Sequence, residues 1–206
     1  MLPTTCNMPD IREECPPLLP TLALINSFFE DPSPEFGQYR KAVVRWIDKA
    51  ISEYSQAREA ILAQIEEQNR TPEEMARTGR QIYMFDFSYA IEHCLMLTRR
   101  LLRALERMNS LPEVQIDRTV RKYLQSQSQN LVDARNFAEH IVEMISGGKL
   151  PEKGSLFARL SQDHKGVEVG GDVVPFSQLA STLRKFYSIA QHLVDTESGL
   201  EDGQKS

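Results

Sequence analysis

The sequence predicts an all-α fold, an up-and-down four-helix bundle with a short β-hairpin before the last helix. Four segments carry apolar residues at the i, i+3, i+4 spacing of an amphipathic helix. Two of these segments follow helix-start signals that contain a proline. Before the last segment the pattern changes to short apolar runs on either side of Gly170-Gly171, which is typical of a tight hairpin.

The first 33 residues are predicted to form a leader and one short helix. Residues 1–17 are rich in proline and unpatterned, so we expect a loose leader. Residues 18–29 are apolar enough for a short helix that packs on the main domain. Pro32 and Pro34 then end this helix, because proline lacks a backbone donor and restricts the residue before it. The bundle domain is therefore expected over residues 34–206.

The first two long helices are predicted over residues 38–68 and from Thr71 to about Met108. The first holds one apolar stripe from Val43 to Ile65. The second opens on Thr71-Pro72-Glu73-Glu74, in which Thr is the N-cap, Pro lies in the first turn and Glu occupies the capping-box position. We expect this second helix to be continuous.

The third long helix is predicted to open at Ser110-Leu111-Pro112-Glu113, which repeats the same start signal, with a bend near Asp117. Gly147-Gly148 ends it, since glycine accepts the left-handed conformation at a helix C-terminus. The hairpin is expected from Val167 to Val174. Ser177 is expected to cap the last helix, which continues to about Val194.

Size, charge and cysteine content exclude several classes of protein. A chain of 206 residues is suited to one well-buried domain, and its net charge of −5 argues against a broad electrostatic grip on nucleic acid. Three scattered cysteines are poor material for a disulfide framework or a thiolate metal site. With no apolar run of about 18 residues and no signal peptide, we expect a cytoplasmic protein without a membrane partner.

The third long helix carries the candidate catalytic residues, Arg135, Asn136 and His140, in the pattern R-N-x-x-x-H. Arginine supplies a permanent charge and donors suited to phosphate, and histidine transfers protons near neutral pH. At about 100° per residue, Arg135 and His140 lie about 140° apart, so one helix does not bring them together. A two-fold partner presenting the same helix is the simplest surface that would, and we therefore expect a homodimer.

Three further residues are expected to contact the substrate. Glu139 shares the sector between Arg135 and His140, where it could also pair with Arg135. Arg99 and Arg103 belong to an arginine cluster in the second long helix. Such a cluster is typical of a solvated helix face, but it can also follow an RNA backbone.

The R-N-x-x-x-H motif, late in the third long helix of a bundle and followed by a closing helix, resembles the HEPN superfamily. The resemblance covers roughly residues 38–195 in architecture, but only Arg135, Asn136 and His140 in specific content. It implies a dimer whose two motifs form one composite RNA-cleaving site without metal or cofactor. It also implies a toxin or phage-defence effector, with an antitoxin or activator protein as partner.

Two other interpretations stay open. In the first, the chain is a catalytically inactive partner-binding or regulatory subunit, and Glu92-His93 and Glu139-His140 are ordinary surface pairs. In the second, histidines from three helices hold a metal ion: His93, His140 and His192. Helix angles place these histidines away from their core stripes, and the E-x-x-H pairs of di-iron bundles are missing, which argues against the metal site.

Overall fold

The fold is seen in a computed structural model that describes residues 2–28, 30–112, 114, 116–126, 146 and 157–195. The described chain is mostly helical, with a small three-stranded antiparallel sheet. Its elements in chain order are the helices Leu19–Ile25 (α1), Pro34–Gln68 (α2), Pro72–Thr78 (α3) and Met84–Met108 (α4), the strands Arg159–Leu160 (β1), Gly166–Val169 (β2) and Asp172–Pro175 (β3), and the helix Phe176–Asp195 (α5). Residues 118–126 are also helical. The four-helix arrangement stays a prediction, because most of the third long helix lies outside the described residues.

Helix α2 is the longest described element, and it packs mainly against α4. It begins four residues before the predicted start, since Pro34 occupies the first turn and the Ser33 hydroxyl accepts a hydrogen bond from the Phe36 N–H at 3.3 Å. The two helices are antiparallel, as Glu53 lies beside His93 whereas Gln64 lies beside Tyr83. The predicted apolar stripe of α2 faces this contact and is buried up to Ile61.

The prediction of one continuous helix from Thr71 to Met108 is wrong. The capping box at Thr71 and Glu74 is present as predicted, but α3 ends after two turns. Gly79 follows it with a φ of 77° and a ψ of 169°, a backbone conformation that is open to glycine but strained for residues with a side chain. A second helix, α4, then begins at Met84.

Side chains at and just after the end of α2 stabilise this break. The Arg70 guanidinium donates to the carbonyl oxygens of Glu74 at 2.9 Å and Gly79 at 3.3 Å. Carbonyl groups at the end of a helix have no N–H partner within the helix, and Arg70 supplies one. The Glu67 carboxylate accepts the Gln81 N–H at 3.1 Å. Arg70 lies in the short link between α2 and α3, and Glu67 lies in the last turn of α2. Neither belongs to a standard helix-stop signal, so the sequence did not indicate this break.

The third long helix begins later than predicted. The described residues between 109 and 117 are not helical, so the start signal at Ser110 does not open a helix. Instead, an oxygen of Asp117 accepts hydrogen bonds from Thr119 N–H at 2.8 Å and Val120 N–H at 3.1 Å. Asp117 is therefore the N-cap of the 118–126 helix, and these bonds lower the pKa of its carboxyl group.

The predicted hairpin is confirmed, and the prediction missed one strand of the sheet. Strands β2 and β3 pair in antiparallel register through Val167 and Val174, and the glycines of the turn both have positive φ. Strand β1 adds to β2, with Arg159 opposite Glu168 and an ion pair of 2.6 Å between them. Two residues are too few to show an alternating pattern.

The N-terminal segment is part of the core, so the prediction of a loose leader is wrong. Met8, Ile11 and Cys15 are almost fully buried. Arg58 donates to the Met8 carbonyl oxygen at 3.1 Å, and Gln68 donates to that of Pro3 at 2.8 Å. The short helix that follows is confirmed as α1. An extended, proline-rich chain has no helical period, and its buried residues therefore gave no pattern to recognise. The division at residue 33 stays a prediction.

The closing helix α5 begins at Phe176, so the prediction of Ser177 as its N-cap is wrong, since Ser177 lies inside the first turn. The helix ends one residue later than predicted, and its apolar face is buried. None of the described helices has both the length and the apolar character needed to cross a membrane.

Candidate nucleic-acid interface

The predicted catalytic residues Arg135, Asn136 and His140 lie outside the described residues, as does Glu139. Their geometry therefore stays a prediction. Arg99 and Arg103, the other two predicted substrate contacts, lie on the C-terminal half of α4.

Helix α4 presents one continuous outward face, opposite the side that packs on α2. At about 100° per residue, six of its residues fall within about 60° of one another. We call them the α4 strip: Phe85, Tyr89, Met96, Arg100, Arg103 and Arg107. Arg99 lies at its edge. The strip is aromatic in its N-terminal half and cationic in its C-terminal half.

The two rings of the strip are strongly exposed, Phe85 by 60% and Tyr89 by 66%. Large side chains with this exposure are unusual on a monomer when they lie side by side, and they mark interaction sites. Ile82, exposed by 59%, extends the apolar surface just before α4 begins. From the sequence, Phe85 and Met96 are more typical of a core or an interface than of a cofactor site, and sequence analysis did not group them with Tyr89.

The arginines of the strip lack partners within the described part of the chain. Arg100, Arg103 and Arg107 are exposed, and their guanidinium groups form no ion pair or hydrogen bond with a described residue. Arg99 is half-buried, and its Nε is buried without a hydrogen-bond partner. Within the described part of the chain, no carboxylate therefore neutralises the guanidinium groups of Arg100, Arg103 and Arg107.

Acidic groups beside the middle of the strip are already engaged. Glu92 accepts the Ala158 N–H at 2.7 Å, which ties the start of the sheet to α4, and burial raises the pKa of its carboxyl group. Glu53 is buried and contacts both His93 Nδ1 at 3.0 Å and Lys49 Nζ at 2.7 Å. These carboxylates do not neutralise the arginines.

The described residues do not bring the three histidines of the alternative metal site together. His93 contacts Glu53, His192 lies on α5, and His140 is outside the described residues. Among the described residues, no three His, Cys, Asp or Glu side chains are grouped so that they could hold a metal ion.

A cavity of about 1100 Å³ lies between α5 and a wall that includes Val114, Ile116 and Val120. Sequence analysis missed it, since its walls come from distant segments that share no motif. Two cations line it, but both are engaged. Arg184 forms a bidentate pair with Glu14, at 2.6 and 2.7 Å, and Lys185 lies 4.7 Å from the centre of the Tyr123 ring. The cavity thus differs from the α4 strip, whose cations have no such partners among the described residues.

No protein-family profile, curated protein or solved structure matches the chain. The candidate site is therefore defined by the residues of this chain alone.

Proposed function

We propose that the chain binds RNA along the α4 strip and cleaves it as a metal-independent endoribonuclease of the HEPN type. The single observation that best supports RNA binding is the row of unpartnered arginines on α4. Arg99 and Arg103 hold the RNA backbone, and Arg135, Asn136 and His140 carry the chemistry. The proposed setting is a cytoplasmic homodimer that acts as a toxin or phage-defence effector under the control of an antitoxin or activator protein.

Free guanidinium groups favour a phosphate backbone for a physical reason. An arginine that already pairs with a carboxylate must break that pair before it binds phosphate, whereas an unpartnered arginine loses only water. Its planar donor fork then forms charge-assisted hydrogen bonds to two phosphate oxygens. Each such contact also releases a condensed counterion from the nucleic acid, which drives binding at low salt.

The proposed chemistry needs no metal ion. The RNA 2′-oxygen attacks the adjacent phosphorus while its proton passes to His140, and the bond from phosphorus to the 5′-oxygen breaks. The leaving 5′-oxygen takes a proton from the second His140 of the dimer, as imidazolium. Arg135 stabilises the negative charge that develops on the phosphoryl oxygens, and Asn136 orients the phosphate or His140. The products are a 2′,3′-cyclic phosphate and a 5′-hydroxyl.

The test is cleavage of labelled single-stranded RNA by purified protein in excess EDTA. We expect slow cleavage that leaves 2′,3′-cyclic phosphate ends, and a loss of about 10²- to 10⁴-fold in His140→Ala, the range typical of a general acid or base. His164→Asn is the matched control, because His164 has a positive φ of 56° that asparagine tolerates. Equal cleavage by His140→Ala and wild type would remove the catalytic assignment.

A second candidate is a catalytically inactive, partner-binding subunit. The exposed Ile82, Phe85 and Tyr89 favour it, because clustered apolar side chains are typical of protein interfaces. If this candidate is correct, the protein cleaves no RNA, and Tyr89→Ala weakens binding of a partner protein but not of RNA.

A further inference from the structure

We infer that Phe85 and Tyr89 form a base-stacking platform, so that the α4 strip takes an unpaired strand whose bases lie on the rings and whose phosphates lie on the arginines. The inference rests on the RNA binding proposed above but not on cleavage. It assigns a role to the aromatic half of the strip, which the catalytic proposal does not use.

The rings are free to stack. Neither Phe85 nor Tyr89 has a ring or cation contact with another described residue, whereas Phe87 packs edge-on against Phe176 in the core. The two exposed rings are four residues apart, which places them on one side of the helix about 6 Å apart along its axis. Each can therefore carry one base of the same strand.

The strip has the length and order that a single strand requires. Phe85 and Arg107 are 22 residues apart, or about 33 Å along the axis at 1.5 Å per residue. Between the rings and the arginines lies Met96, a soft apolar side chain that can contact a further base or ribose. A positively charged track combined with aromatic rings is how proteins hold single strands with little sequence preference.

Charge decides between this occupant and a protein partner. A protein that covered only the apolar half would leave the neighbouring arginines without partners, and one that covered both halves would need an apolar patch beside a row of carboxylates. An unpaired nucleic-acid strand has apolar base faces and anionic phosphates along its whole length. A duplex is less suitable, since its base faces are hidden within the stack.

The experiment compares three ligands of equal length: single-stranded 2′-O-methyl RNA, an abasic chain with the same phosphates, and a 2′-O-methyl RNA duplex. The 2′-O-methyl group prevents cleavage, so wild-type protein can be used. Affinities are measured by fluorescence anisotropy for the wild type, Phe85→Ala/Tyr89→Ala, and the control Phe28→Ala. Phe28 is a comparably exposed aromatic residue outside α4, with 74% exposure.

We expect the wild type and Phe28→Ala to bind the single-stranded RNA about 100-fold more tightly than the abasic chain, since two bases stack at about tenfold each. The double variant should lose about tenfold per ring in affinity for the RNA and keep its affinity for the abasic chain. Its melting temperature should equal that of the wild type, because both rings are exposed.

Equal affinity of the wild type for the RNA and the abasic chain would overturn the inference, as would an unchanged affinity in the double variant or tighter binding of the duplex. Equal losses for RNA and abasic chain in the double variant would also overturn it. If the wild type binds no RNA at all, the proposed function falls as well. Binding with base preference but without cleavage of unmodified RNA would remove only the nuclease proposal.

Discussion

The arginines that hold the N-terminal segment and those of the α4 strip differ in what surrounds them. Arg12 contacts Asp10 and Glu59, Arg58 contacts Asp10 and the Met8 carbonyl oxygen, and Arg184 forms a bidentate pair with Glu14. The strip arginines form no such contacts with described residues. The same side chain thus fixes chain segments to each other in one region, whereas in the other it has no partner among the described residues.

This difference helps to separate structural from functional charges. A partly exposed ion pair contributes little to stability, typically less than about 1 kcal/mol, but several pairs along one segment fix its path across α2 and α5. The helix dipole favours Arg107 in the last turn of α4, but the four neighbouring arginines also repel one another. A bound polyanion, as proposed above, would offset that repulsion.

Among the arginines that hold chain segments together, Arg40 is the most buried, and its removal should lower the free energy of unfolding the most. Its side chain is fully buried, contacting Asp31 Oδ1 and Asn26 Oδ1 at 2.6 Å each. We expect Arg40→Ala to lower the free energy of unfolding by about 3–5 kcal/mol, because it leaves the largely buried Asp31 carboxylate without this partner. Urea denaturation measures the change.

Arg45→Ala is the matched control, because Arg45 lies on the same helix but is exposed. It should change the free energy of unfolding by no more than about 0.5 kcal/mol. Similar losses of unfolding free energy in Arg40→Ala and Arg45→Ala would show that the buried contacts of Arg40 do not stabilise the fold.

Asp10 provides a smaller test, based on pH. The side-chain and backbone hydrogen bonds from Arg12 lower the pKa of its carboxyl group from 3.8 to about 2. Because the folded pKa is below the unfolded one, the stabilisation is present above about pH 4 and is lost as the pH falls towards 2. Above about pH 4, Asp10→Asn should lower the free energy of unfolding by less than about 1 kcal/mol, because the pair is exposed. This difference from the wild type should shrink as the pH falls towards 2.

Thermal unfolding at a series of pH values measures this change. Asp172→Asn is the control, since Asp172 is exposed on β3 and forms no ion pair with a described residue. A difference between wild type and Asp10→Asn that stays constant from pH 5 to about pH 2 would contradict the assigned role of the Arg12 pair.

Local signals predicted much of the fold. The stripe of α2, the capping box at Thr71 and the Gly170-Gly171 turn depend on residues close in sequence, and each is present. The break at Gly79 depends on contacts from Glu67 at the end of α2 and from Arg70 in the link that follows, which no standard helix-stop signal shows. The N-terminal segment packs without a period, so its burial could not be recognised either.

The candidate site was predicted in part for the same reason. The clustering of Arg99 and Arg103 can be read from the sequence. Whether a carboxylate packs against them depends on the tertiary arrangement, as Arg184 and its distant partner Glu14 show. The exposure of Phe85 and Tyr89 likewise depends on which segments pack beside α4. The motif from Arg135 to His140 stays a prediction.

The most direct test of the free-arginine claim is the salt dependence of RNA affinity, measured between about 50 and 200 mM salt. The triple variant Arg100→Gln/Arg103→Gln/Arg107→Gln should reduce the slope of log affinity against log salt by about 2, at about 0.7 per lost phosphate contact. The paired-arginine control Arg12→Gln/Arg184→Gln should keep the wild-type slope. An unchanged slope in the triple variant, or an equal reduction in the control, would contradict the claim that α4 leaves its arginines free for phosphate.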